Sequence, residues 1–289
     1  MERRLPRLED YPGRTASGTK PLLSIVTTVR NGEKTLARTF DSVRAQAMPH
    51  LEYVVTDAGS TDGTHDIIAA YSDIVSYWQS ENDRGISDGF NKSIALTTGK
   101  YVAILNADDW LSPGQLAFGV DTLEKTGADF VFGDLIYHDG NGAALYRVRG
   151  EADYARRIGH VMPALNHPSV IVRRTAYERH GLFDLNLRLA MDYEFLLRLH
   201  RADCTGIYDP RILGHMSLEG ASDAQSRRAL AEVRDIAIRH GGSPLREWRR
   251  YIFHLAKSDV RKLIEKLLPQ SIARRLRSAV NGNFADLTR

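Results

Sequence analysis

The chain has 289 residues, 43% apolar and 26% charged, with a net charge of +3, the balance of an ordinary soluble globular protein large enough for one domain and an appendage. Its lone Cys204 excludes an intrachain disulfide and has no Cys or His partner at zinc-ligand spacing, which points to a reducing compartment. No apolar run approaches the roughly 18 to 20 residues of a membrane span and no signal-peptide region opens the chain, so a cytoplasmic protein, or one peripheral to the cytosolic face of a membrane, is expected.

Residues 1–20 are basic, contain Gly and Pro and lack periodicity, so they read as a flexible leader. Leu22 to Val29 is a β-rich run, and Glu33 to Gln46 follows with Leu36, Phe40 and Val43 at helical spacing. Strands are predicted at Leu51 to Thr56, Ile74 to Trp78 and Tyr101 to Leu105, alternating with helices at Asp62 to Tyr71 and Ser87 to Thr97. This βα repeat with short connections predicts an α/β fold, a mostly parallel sheet flanked by helices. Further on, Asp129 to Phe132 resumes a strand, and Leu135 to His138 with Ala143 to Val148 flank the hairpin signal Asp139-Gly140-Asn141-Gly142. Val170 to Val172 is another strand, Asp192 to Arg201 a helix, and Gly206 to Tyr208 and Ile212 to Met216 are short extended pieces. From Ala221 onward the pattern is helical. Antiparallel additions make the sheet mixed.

Two strand ends carry chemistry. The run Tyr101 to Leu105 stops at Asn106-Ala107-Asp108-Asp109, placing two carboxylates at a strand's carboxyl end, where open α/β sheets bind ligands. Adjacent acids repel and are costly to desolvate unless a cation is shared, so a divalent metal on a diphosphate is one reading and a helix cap the other. At the second strand's end stands Asp57-Ala58-Gly59-Ser60-Thr61-Asp62-Gly63-Thr64, whose glycines and hydroxyls permit close approach of a ligand and would equally serve as a capping loop. Neither a dinucleotide fingerprint nor a phosphate loop is present.

These two segments, with Ser24-Ile25-Val26-Thr27-Thr28-Val29-Arg30-Asn31-Gly32 before them and Asp83-Arg84-Gly85-Ile86-Ser87-Asp88-Gly89-Phe90-Asn91-Lys92 between, resemble the family 2 glycosyltransferases of GT-A fold. The four motifs occur in order, and the resemblance runs from about Pro21 to Ser217. It implies a catalytic domain over residues 21–218, with a nucleotide-sugar half at 21–110 and an acceptor half at 111–218. The implied reaction moves a sugar, with inversion, from a nucleotide-diphosphate donor, UDP-linked as the leading expectation, to a carbohydrate or lipid-linked acceptor. It also implies that Thr27, Asp57 and Asp88 contact the nucleotide. Asp108 and Asp109 match the family's acidic motif, one orienting ribose or sugar and the other ligating Mn²⁺ or Mg²⁺, and hard oxygen ligands suit those ions better than zinc.

Inversion needs a base to take the acceptor's proton. Asp192, in Met191-Asp192-Tyr193-Glu194, resembles the family's base position, against the alternative of a helix cap; Glu194 is the reserve. His167 resembles a position near the acceptor pocket, and His215 a C-terminal metal or diphosphate contact, each against a structural role. Arg84 and Lys92 are candidate phosphate contacts or simply solvated cations.

Residues 219–289 form a helical, basic extension. Between Ser243 and Val280 ten Lys/Arg face three acids, a charge of +7 that leaves −4 for the remainder. An apolar stripe through Tyr251, Ile252, Leu255, Val260, Leu263, Ile264 and Leu267 makes this segment, residues 244–280, suited to an anionic membrane surface, to the catalytic domain or to a second subunit. No groove-reading motif accompanies the charge, so nucleic acid is not expected. A lipid-linked acceptor would place the reaction in cell-surface polysaccharide or glycolipid assembly. The competing functions are a nucleotidyltransferase on a similar sheet and a non-catalytic sugar-nucleotide-binding subunit.

Overall fold

A computed structural model describes residues 4–15, 18–163, 165, 167–217, 226–267 and 284–285. Strands β1 (Leu23–Val29), β2 (Leu51–Asp57), β3 (Tyr77–Ser80) and β4 (Tyr101–Ile104) are parallel neighbours in the order β3-β2-β1-β4. Helices α1 (Leu36–Arg44), α2 (Thr64–Ala70) and α3 (Ile86–Leu96) connect them. All seven residues of β1 are buried, so this central strand packs on both faces. Adjacent residues then belong to different cores: Val26 joins Phe90, Ile94 and Phe195 on one face, and Ile25 joins Phe40, Tyr53 and Leu116 on the other.

The second half widens the sheet. β8 (Ile171–Arg173) pairs antiparallel with β4 and with β6 (Phe130–His138), which pairs antiparallel with β7 (Ala144–Val148). β9 (Gly206–Ser217) lies parallel to β6 and antiparallel to the two-residue β5 (Trp110–Leu111), and β10 (Phe284–Ala285) edges β7. Helices α4 (Gln115–Thr126), α5 (Arg174–His180), α6 (Met191–Arg201), α7 (Ser226–Arg239) and α8 (Pro244–Leu267) complete the described elements. The mixed α/β architecture expected from the sequence is the one observed. Among the described residues, no helix is long and apolar enough to cross a membrane.

Several expectations are corrected. The leader expected over residues 1–20 is docked over its described part: Leu8 and Tyr11 pack on the core, the Leu182 N–H donates to the Pro6 carbonyl at 2.9 Å, and the Tyr11 hydroxyl donates to Asp88 at 3.0 Å. Composition shows polar and basic residues there but not the partners that hold them. β3 starts at Tyr77 rather than Ile74, because Ile74 and Val75 bond back to the Tyr71 carbonyl in the turn closing α2. β6 and β9 are continuous where the sequence predicts two pieces each. Gly133, between the two predicted pieces of β6, is required there, since a Cβ would collide with the Ile212 carbonyl of β9. The part of the expected basic extension over residues 268–283 lies outside the described residues.

Candidate active site

The acidic turn follows β4 directly. The Leu105 N–H donates to the Val26 carbonyl at 2.9 Å, Asp109 N–H returns to the Asn106 carbonyl at 3.2 Å, and the chain re-enters the sheet at Trp110 in β5. α1 holds this turn from behind through backbone carbonyls. Thr39 Oγ1 donates to Asp109 O at 2.8 Å, and Arg38 Nη2 to Asp108 O at 3.0 Å, with the guanidinium 3.8 Å over the Trp110 ring. The Asp109 carboxylate is 1% exposed; it accepts from Asn106 Nδ2 at 2.8 Å and from the Ser217 N–H, at the end of β9, at 3.2 Å. Asn106 therefore orients Asp109 by hydrogen bonding. Asp108 is half-buried beside it.

Burial, reinforced by the Asp108 charge, pushes Asp109 up to about 8, and burial raises Asp108 too, against the pull of Arg38. Arg38 is a nearby cation, and its buried Nε has no hydrogen-bond partner among the described residues. A desolvated carboxylate pair that ionises reluctantly by itself fits a hard divalent cation, which would favour both charged forms. The helix-capping alternative has no support here, since a two-residue strand follows the pair.

His215 faces Trp110 across the β5/β9 pairing, its ring stacked on the indole at 5.2 Å and 3°. Its Nε2 lies 2.8 Å from Ser112 Oγ and its Nδ1 2.9 Å from His138 Nε2, while His138 Nδ1 lies 3.0 Å from the Gly142 carbonyl. A carbonyl only accepts, so His138 carries its proton on Nδ1. The neutral chain then runs one way, Ser112 O–H to His215 Nε2 and His215 Nδ1–H to His138 Nε2. Burial, then the neighbouring His138, holds His215 down to about 4. The expectation of His215 as a metal contact meets a ring whose two nitrogens are both engaged within the protein.

Asp57, an expected nucleotide contact, ends β2 and is 1% exposed. Burial opposes its ionisation, but Ser60, Ser80 Oγ at 2.6 Å and His65 Nε2 at 2.8 Å outweigh burial and bring it to about 2. His65 in turn lies 5.6 Å from the ring of Trp78, an exposed aromatic on β3. Asp88, 2% exposed, accepts from the Arg84 N–H at 3.0 Å, from Arg84 Nη2 at 2.9 Å and from the Tyr11 hydroxyl. It thus holds residues 84–88 in shape. Thr27 is fully buried, its hydroxyl donating to the Leu105 carbonyl at 2.8 Å and meeting the Tyr53 hydroxyl at 2.8 Å. The expected nucleotide contact at Thr27 is therefore corrected: its side chain lies inside the sheet and ties β1 to the start of the acidic turn.

Asp192 and His167, far apart in sequence, line one cavity with Ile104, Val170, Val172, Tyr177, Phe183, Phe195 and Leu196. Its volume, about 20 Å³, admits one water. Burial raises Asp192, and the facing His167 opposes that rise; burial lowers His167, and Asp192 opposes that fall. Ile104 ends β4, two residues before Asn106, so the cavity adjoins the acidic turn. Asp192 is not the cap of α6, whose N-cap is Ala190. Glu194, the reserve base, is 2% exposed and paired with Arg198 at 2.9 Å and His240 at 3.3 Å, a structural ion pair.

Arg38, Ser112 and His138 carry no signal in the sequence. Arg38 stands on the otherwise ordinary face of α1, and only the sheet brings it to Asp108. His138 ends a strand at a hairpin, and its pairing with His215 spans 77 positions.

A parallel first half, an acidic turn at its carboxyl edge and antiparallel strands completing the sheet define the GT-A class of fold. Residues 24–181 match the family described as Glycosyl transferase family 2, and the chain belongs to that family. A Rickettsia prowazekii protein named as an uncharacterised glycosyltransferase is 28% identical over 189 residues, 63% of this chain; the match spans only 59% of that relative's length. A PGL/p-HBAD biosynthesis glycosyltransferase of Mycobacterium bovis is also 28% identical, over 62% of this chain and 69% of its own. Among solved structures, the mannosyltransferase PcManGT of Pyrobaculum calidifontis, in complex with GDP-Man and Mn²⁺, superposes with a TM-score of 0.62 at 18% identity, covering 91% of this chain and 80% of that one. Residues 1–349 of Staphylococcus aureus TarS, in complex with UDP-GlcNAc, give 0.60 at 16%, covering 78% and 69%. These two likenesses concern the fold.

Proposed function

We propose that this chain transfers a sugar, with inversion, from a nucleoside-diphosphate donor to an acceptor hydroxyl. The observation that carries the reading is the carboxylate pair at the sheet's carboxyl edge, Asp109 buried and Asp108 half-buried, with Asp192 in the cavity behind Ile104. Mn²⁺ or Mg²⁺ held by Asp108 and Asp109 would supply positive charge to the departing diphosphate. Asp192 takes the acceptor proton as the acceptor oxygen bonds to the anomeric carbon and the bond from that carbon to the phosphate oxygen breaks. His167 favours the ionised form of Asp192 that this step requires. Asp57, anionic at any physiological pH, accepts from the nucleobase; Asp88 shapes the loop beside it; Thr27 supports the acidic turn from within the sheet. The relatives' names and the donors bound by the two structural neighbours are consistent with this reading. UDP and GDP, each titrated with Mn²⁺, should raise the melting temperature by mass action. No shift from either would contradict the reading.

The acceptor we infer is lipid-linked, at an anionic membrane surface. Helix α8 exposes Leu245, Trp248, Ile252, Phe253 and Val260, with Arg246, Arg249 and Lys257 also exposed. Its opposite face is occupied by Glu247, 2% exposed and contacting His160 and Arg250, and by Tyr251 on the Arg234 guanidinium of α7, which Trp248, at the border of the two faces, also contacts. An apolar stripe among cations is the pattern of a helix lying in a lipid interface. Ile252→Ser with Phe253→Ser is expected to weaken partition onto phosphatidylserine-containing vesicles by roughly tenfold or more, with the melting temperature unchanged. Wild-type partition in the double variant would contradict this, as would a concentration-dependent dimer that buries the stripe.

A further inference from the structure

The chain turns into α6 through Arg188, Leu189 and Ala190, whose N–H groups need partners outside the helix, and Ala190, the N-cap, has no polar side chain. The partner comes from α7. The Glu232 carboxylate accepts from the Arg188 N–H at 3.1 Å, the Leu189 N–H at 2.9 Å and the Ala190 N–H at 3.0 Å. Its side chain is 13% exposed, and Arg228 Nε lies 3.5 Å away. A largely buried anion on the three amides that lead into a helix N-terminus holds that entry and interacts favourably with the helix dipole. Further contacts anchor α7 on the same region. Arg239 donates to Asp184 at 2.8 Å, His240 meets Glu194, and Ile236 and Ala237 are fully buried.

We propose that Glu232 is a positioning residue: through it the C-terminal helices set the first turn of α6, and with it the carboxyl of Asp192. The Ala190 N–H is held from 42 residues away, while Asp192, one residue inside the helix, lines the cavity and accepts the Tyr193 N–H on Oδ1. The held segment also reaches the nucleotide side. Ser87 Oγ donates to the Leu187 carbonyl at 2.7 Å, and the Arg188 guanidinium crosses Gly85 so closely that a Cβ there would collide with it. The charged groups facing Asp192 are His167, from the turn before β8, and Glu232, from α7; Tyr177 of α5 lines the cavity as a neutral phenol.

The inference rests on Asp192 as base, but its test does not require turnover. Glu232→Gln keeps the shape and removes the charge. In the variant, exchange of the Leu189 and Ala190 amides is expected to quicken roughly tenfold, and the Asp192 carboxyl, followed by carbon NMR, to titrate at lower pH because a nearby negative charge is gone. UDP affinity with Mn²⁺ should stay within about twofold, while kcat on whichever of UDP-N-acetylglucosamine and GDP-mannose is consumed falls by about tenfold or more. Unchanged amide exchange and an unchanged Asp192 titration would overturn the proposal, as would loss of UDP affinity in step with kcat. If instead Asp192→Asn turns over normally while those two NMR changes occur, the assignment of the base fails and the positioning of α6 stands.

Discussion

Asp192→Asn is expected to bind donor and Mn²⁺ as the wild type does and to lose turnover by about a thousandfold. Asparagine fills the same space and its carbonyl still accepts from the Tyr193 N–H, which lies 2.7 Å from Asp192 Oδ1. What it cannot do is take a proton. The cavity wall is mostly apolar and holds no second carboxylate among the described residues, and Glu194 is locked to Arg198 and His240. The pH profile should carry the same signature. Burial raises Asp192 above the ordinary carboxylate range, so wild-type kcat/KM climbs with pH through that raised value and is lost below it. The residual activity of the variant should lack this acid limb. Equal loss of donor affinity and turnover would place Asp192 in donor binding instead.

The second large effect concerns Asp109, where stability and function should move in opposite directions. Its folded value of about 8 lies above the ordinary 3.8, so between those values the folded protein keeps a proton that the unfolded chain has released. Metal-free stability therefore falls as pH rises from about 4 towards about 8, and Mn²⁺ should flatten that fall. Asp109→Asn, a neutral isostere of the protonated acid, is expected to stabilise the metal-free protein at pH 8 by on the order of 2 kcal/mol. It should also abolish the Mn²⁺-dependent gain in UDP affinity. A variant less stable than wild type at pH 8 without metal would contradict the electrostatic account of the pair.

The parallel half was legible because its strands and helices are short, regularly spaced and separated by turn residues. The acids of the site were legible because they sit in contiguous motifs. Contacts across the sheet were not. Thr27 reads as a ligand-facing threonine at a strand's end, but β1 is buried on both faces, and alternation carries no sidedness there. Ser217 donates to Asp109 across 108 positions, and no local pattern announces it. α4 is obscured in the sequence although Leu116, Val120 and Leu123 recur at helical spacing, because Gly114 and Gly119 interrupt the run; Gly119 is there for Ile171, which a Cβ would strike. α5, seven residues long, is too short for periodicity to speak. Capping, the alternative expected for Asp192, is a sound expectation for an acid near a helix start; the structure divides it, Asp192 taking the Tyr193 N–H and Glu232 the Leu189 and Ala190 N–H groups that lead into the helix.

The most direct measurement is release of nucleoside diphosphate from UDP-N-acetylglucosamine, UDP-glucose and GDP-mannose, each with Mn²⁺ and with EDTA, for the wild type, Asp109→Asn and Asp192→Asn. At least one donor should be consumed by the wild type with Mn²⁺, with EDTA and either substitution removing that activity. Release that persists in EDTA and in both variants, or no release from any donor, would contradict the account.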